Sequence, residues 1–147
     1  MASRRSHRDL ITWQKALDLA VRVHDETSRF PRFELFGLAA QMRRAAVSVV
    51  SNVAEGTARR TTREFVAFLH FSRGSLAELE TQMLLAVRIG YIPAQQAKSL
   101  QSTIDDVGRL INGVLRGLRA RVARQRAPEA GAEVADSGGA SRSVANS

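Results

Sequence analysis

The sequence has no cysteine, only three prolines, one tryptophan and one tyrosine. Without cysteine there is no disulfide framework, no thiolate nucleophile and no Cys-ligated metal. That suits a reducing, cytoplasmic setting. The prolines stand at 31, 93 and 128 and leave long uninterrupted stretches between them, where helices can run. Aromatics make up 5% of the chain, too few for a row of base-stacking platforms. No run approaches the ~18 apolar residues of a membrane span. The first residues, Met1 to Asp9, lack the apolar segment of a signal peptide. Acidic charge is also short: 14 Asp plus Glu stand against 22 Lys plus Arg, a formal +8. Such a balance favours a polyanionic partner such as RNA or DNA. All but two of the basic residues are arginine, and an Arg- and Ala-rich composition alone gives the same excess. Position must therefore decide.

Catalytic signatures are missing as well. Glu78 and Glu80 are two apart and do not share a helix face, and Asp105 and Asp106 are adjacent. His7, His24 and His70 show no metal-ligand spacing, and no Glu-x-x-His pair exists. There is no phosphate-cradling glycine loop. No enzyme activity, metal or cofactor is expected.

Hydrophobic residues reach 44%, enough for the core of one domain, and their period is helical. The stretch Gln41 to Gly56 is the most particular. At about 100° per residue, Met42, Ala46, Val49 and Val53 share one face, and Gln41, Arg44, Ser48, Asn52 and Glu55 share the other. A face merely solvated would carry more Lys and Glu. This polar stripe reads as a hydrogen-bonded strip fixing helix packing or subunit register.

Four helices are predicted. The first spans Thr12 to Arg29, with Trp13, Leu17, Ala20, Val21 and His24 inward and Ala16 and Thr27 on the margin of that stripe, His24 being a core or interface histidine, and ends before Phe30-Pro31. The second begins near Leu35 to Leu38 and stops close to Gly56. Thr61 and Glu64 read as a capping box opening the third, which runs to Ile89 on a stripe of Phe65, Phe68, Leu69, Ser72, Leu76, Leu79, Met83, Ala86 and Val87. A second edge of Ala67, Phe71, Leu85 and Ile89 points to a subunit contact, with Phe71, Leu85 and Ile89 as its anchors. Gly90 and Pro93 separate the third helix from the fourth. The fourth runs from Ala94 to about Arg124 with Leu100, Ile104, Val107, Ile111, Val114, Leu115, Leu118 and Val122 inward. Gly108, Gly113 and Gly117 lie off that stripe, where each costs about 1 kcal/mol relative to Ala; close helix approach is the expected reason for some of them. Short links make antiparallel neighbours, so the fold is all-α, an up-and-down four-helix bundle over residues 9–126. Residues 1–8 read as a basic disordered arm, and 127–147, with three acids and one arginine, as a disordered tail.

Several segments carry a resemblance: Asp9 to Ala16, Phe36-Gly37-Leu38, Gln41 to Ser48, Ser51-Asn52-Val53-Ala54-Glu55-Gly56, Arg63-Glu64-Phe65, Gly74 to Gln82 and Arg88 to Tyr91. In this order they resemble the four-helix bundle proteins named for 23S rRNA intervening sequences, the S23 ribosomal protein family. The likeness covers about residues 9–119. The family commonly has proline where this chain has Val50, and Trp-Gly-Arg where it has Thr57-Ala58-Arg59. The resemblance implies a homopentamer without established enzymatic activity. Accessory proteins of diversity-generating retroelements look like the same fold. These are basic pentamers that engage nucleic acid and a reverse transcriptase.

The favoured expectation is therefore a basic nucleic-acid-binding or ribonucleoprotein-accessory module. Its candidate contacts are Arg59, Arg60, Arg63, Arg116, Arg119, Arg121 and Arg124. Its partners would be further copies of itself, RNA or DNA, and a reverse transcriptase or other RNP protein. The competing reading is a structural or protein-interaction scaffold. A weaker third is an intersubunit enzyme site around Arg44, Asn52 and Glu55.

Overall fold

The computed structural model describes residues 6–127. They form four helices: α1 (His7–Thr27), α2 (Leu38–Thr57), α3 (Thr62–Ile89) and α4 (Ala94–Arg126), with a short 3-10 turn at Arg32–Glu34. Each helix packs on its sequence neighbours, and α4 closes the ring against α1. The α2–α3 contact is the most extensive. Links of a few residues force neighbours antiparallel, so the architecture is the predicted four-helix bundle. Among the described residues no helix is long and apolar enough to cross a membrane.

The helix ends follow local chemistry. Ser6 caps α1: its hydroxyl accepts from Asp9 N at 3.2 Å, and Asp9 Oδ2 accepts from Ser6 N at 3.1 Å. This complete capping box starts α1 at His7, five residues before the expected Thr12. Of the arm expected over 1–8, residues 1–5 lie outside the described residues, as do 128–147 of the expected tail. Thr61 Oγ1 accepts from Glu64 N at 3.2 Å. The reciprocal bond from Glu64 is not present among the described bonds, so Thr61 works as a simple N-cap. Glu34 reaches over the start of α2, accepting from Leu38 N at 2.8 Å and from Tyr91 Oη at 3.2 Å. Gly90 ends α3 at φ 96°, a left-handed turn that a side chain would strain.

The core confirms α2, α3 and α4 and corrects α1. Met42, Val49, Val53, Leu69, Leu79, Met83, Ile104, Val107, Ile111 and Leu115 are buried. In α1 the inner face is Thr12, Ala16, Leu19, Val23 and Thr27. Leu17 is 40% and Val21 64% exposed, and His24 is exposed rather than in the core. Two stripes competed on α1. The threonines can be buried because their hydroxyls donate back to the helix, Thr12 to Arg8 O at 2.8 Å and Thr27 to Val23 O at 2.7 Å. Of the expected stripe, Trp13 and Ala20 still pack half-buried against the core, while Leu17, Val21 and His24 face out.

Three serines tie α2 to α3. Buried Ser72 donates to Val49 O at 2.7 Å, and Ser48 and Ser75 share a hydrogen bond at 2.7 Å. Gly56 permits the closest approach, since a Cβ there would lie 2.7 Å from Phe65 Cδ2 and 3.0 Å from Phe68 Cβ. The α4 glycines are different. A Cβ at Gly108 would meet Leu76 at an ordinary 3.5 Å, one at Gly113 only the Arg116 guanidinium at 3.8 Å, and one at Gly117 nothing within 4 Å. Close helix approach therefore does not explain them.

Candidate functional site

The topology gathers four chain segments at one end of the bundle: the start of α1, the end of α2, the start of α3 and the end of α4. A cavity of about 520 Å³ opens between them. Its wall includes Ser6, Arg8 and Asp9 from α1 and its cap, Gly56 and Thr57 from α2, and Arg59, Arg60, Thr61 and Thr62 from the turn. Phe65 of α3, then Gly113, Val114, Gly117, Leu118, Arg121 and Arg124 of α4, complete it. A second depression of about 410 Å³ lies on the α3–α4 seam at the same end. Val66, Val122 and Ala123 floor it, and Arg63, Arg119 and Arg126 surround it.

Six of the seven arginines expected to contact nucleic acid thus converge, though they are separated by half the chain. Arg59, Arg60, Arg121 and Arg124 line the cavity, and Arg63 and Arg119 the seam depression. Arg116 is exposed on α4 beside Gly113. The sequence reading missed Arg8, placed in the arm, and left Arg126 out of the set. The Ser6-x-x-Asp9 spacing was the available signal for Arg8, because it brings residue 8 into the first turn of α1.

This end holds few compensating carboxylates. Asp9 is occupied with the cap of α1, and Glu55 pairs with Arg59. Glu64 is exposed in the first turn of α3. Among the described residues, eight cavity-lining arginines therefore stand against three carboxylates, two of them engaged. Arg59 is the most constrained cation. Its guanidinium lies 4.7 Å from the Phe68 ring centroid, and its Nε is buried without a partner among the described residues. Farther along the seam, His70 sits between two arginines: Arg73 Nη2 lies 3.2 Å from Nδ1 and Arg119 Nη2 3.3 Å from Nε2. Desolvation, then Arg73 and Arg119, holds the imidazole below its usual pKa. A neutral ring accepts from one of these arginines and so helps to orient the cluster.

The polar stripe of α2 divides. At its centre, Asn52 Nδ2 donates to Ser48 O at 2.8 Å and Ser48 Oγ at 3.1 Å, joining the Ser48–Ser75 link to α3. Glu55 joins the basic end through Arg59. Gln41 and Arg44 are exposed and line a shallow depression with Ser48, Ser75 and Glu78. Arg44, Asn52 and Glu55 converge on no common point. Among the described residues no group of three or more His, Asp or Glu side chains gathers to hold a metal.

The second edge of α3 stands free on the bundle surface. Phe71, Leu85 and Ile89 are exposed, as is Leu84 beside them. On the same α3 face, Gln82 is buried, and its Oε1 has no partner among the described residues. The link between α1 and α2 adds an apolar group the sequence reading did not single out: Phe33, Leu35 and Phe36, the last 91% exposed. It lies at the end opposite the arginines. No periodicity marks it, because it falls between helices.

A sequence profile described as 23S rRNA-intervening sequence protein matches residues 8–113. No curated protein matches the chain. A solved structure from Bacteroides thetaiotaomicron VPI-5482, described as a protein of unknown function from the S23 ribosomal protein family, superposes with a TM-score of 0.70. It is 21% identical over 74% of this chain and 98% of its own, a likeness of fold.

Proposed function

The chain belongs to the 23S rRNA-intervening sequence protein family, and on that footing we propose that it is a non-enzymatic module that binds nucleic acid through its basic end. The convergence of eight arginines, drawn from three stretches of sequence onto one end of the bundle, carries this reading. Guanidinium groups grip phosphate oxygens bidentately. The small number of aromatics favours backbone contacts over base reading.

We further propose that the protein assembles as a homopentamer through the outer face of α3. Phe71, Leu85 and Ile89 supply its apolar surface. Five copies would repeat the basic end around a ring, which suits a polyanion longer than one subunit. A scaffold that holds another protein is the second reading. The exposed Phe33, Leu35 and Phe36 favour it, since they lie away from the arginines. A reverse transcriptase or other RNP protein would fit both readings together.

Fluorescence anisotropy with labelled RNA and DNA oligonucleotides tests the main reading. Four phosphate contacts would give a loss of about a hundredfold in duplex affinity between 50 and 200 mM salt. Replacing Arg63, Arg119 and Arg126 by glutamine should weaken binding and flatten the salt dependence. Absence of RNA and DNA binding at low salt would refute it.

A further inference from the structure

We infer that the 520 Å³ cavity at the basic end is a seat for a phosphate group, kept open by two glycines of α4. The inference rests on the proposed role of the basic end and adds where the phosphate sits. Gly113 and Gly117 are one helical turn apart, and both line the cavity. Glycine inside a helix is destabilising, and packing does not require either residue. No neighbour lies within 4 Å of a Cβ at Gly117, and a Cβ at Gly113 would meet only the mobile end of Arg116. What the two glycines provide is room. Side chains there would enter the space ringed by Arg59, Arg60, Arg121 and Arg124.

The chemistry of the wall selects the occupant. Arginines approach from the turn and from α4, and Arg8 from α1. Hydroxyls of Thr61 and Thr62 add neutral donors, Thr61 also serving as the cap of α3. The N-termini of α1 and α3 border the cavity, but so does the C-terminus of α2. Their dipoles offset one another, and the guanidinium groups set the sign. Among the described residues Asp9 is the single carboxylate in the wall, and Ser6 already engages it. A group with several anionic oxygens fits, either a phosphate of a nucleic-acid backbone or the end of a free polyphosphate.

The test replaces both glycines by leucine in the full chain, with the Gly113→Ala/Gly117→Ala pair as a milder second variant. Two probes are used: a labelled single-stranded RNA by anisotropy, and inorganic tripolyphosphate by calorimetry. Both variants should melt at or above the wild-type temperature. In about 50 mM salt the leucine pair should bind RNA about tenfold more weakly for each phosphate displaced. The slope of log affinity against log salt should fall by about 0.7 per phosphate. The alanine pair should show a smaller change of the same sign and decides the matter if the leucine pair does not fold. Weaker RNA binding, with or without weaker tripolyphosphate binding, supports a seat for backbone phosphate. Loss of tripolyphosphate alone supports a seat for a free polyphosphate. Folded variants that keep wild-type affinity for both probes overturn the seat. The basic-end reading survives that result if RNA binding is still lost on replacing Arg63, Arg119 and Arg126. A wild-type protein that binds neither probe overturns both.

Discussion

The same substitution, glycine to alanine, should act in opposite directions at two helical positions. At Gly56 the new methyl would lie 2.7 Å from Phe65 Cδ2 and 3.0 Å from Phe68 Cβ. Ordinary carbon contacts are about 3.5–4.0 Å, so α2 and α3 must separate by a large fraction of an ångström. Phe68 Cβ is fixed to the α3 backbone and cannot swing away. Overpacking of this kind costs roughly 1–3 kcal/mol, while the better helix propensity of alanine returns about 1 kcal/mol. The net effect is a loss of about 1 kcal/mol. At Gly117 nothing lies within 4 Å, so only the propensity gain of about 1 kcal/mol remains. The two variants should differ by roughly 2 kcal/mol, or about 8 °C in melting temperature for a domain of this size. Far-UV circular dichroism melts at one fixed protein concentration measure this, since assembly makes the midpoint concentration-dependent. The packing argument fails if Gly56→Ala melts at or above wild type, or if both variants move the same way.

Further outcomes follow from the titrating and apolar groups. Tyr91 has its pKa raised by desolvation and by the Glu34 carboxylate. Its contribution to stability is full below about pH 10 and is lost as pH rises through the folded value. Tyr91→Phe should remove that alkaline loss in melts taken above pH 10. His70 is shifted the other way. Its contribution is full above its unfolded value near 6.5 and falls as pH drops through the folded value. His70→Gln should soften the drop in melting temperature on mild acidification, and an unchanged acid profile would refute that. Replacing Phe71, Leu85 and Ile89 together by serine should leave a folded bundle of lower mass in sedimentation velocity. An unaltered oligomer would exclude the α3 edge as the contact.

The sequence by itself determined four helices, their order and most of their inner faces. In α3 and α4 a single long apolar stripe recurs at helical spacing, and one face must be buried. Gly90 and Pro93 marked their junction, and Gln41 to Gly56 marked the helix whose polar centre ties α2 to α3. The seven arginines were also legible as a group, because acids are scarce around them. What only the tertiary structure decided was which of two stripes α1 turns inward. Periodicity cannot rank two apolar faces; in the fold Thr12, Ala16, Leu19 and Val23 turn inward while Leu17 and Val21 stay exposed, the buried threonine hydroxyls being satisfied by their own helix. Tertiary structure also decided that Arg8, Arg60, Arg121 and Arg124 share one cavity. Their closeness comes from antiparallel helices returning to the same end, a distance that no local spacing records. The glycines of α4 show the difference most directly: the sequence gives their cost, and the empty space beside them shows what they are not needed for.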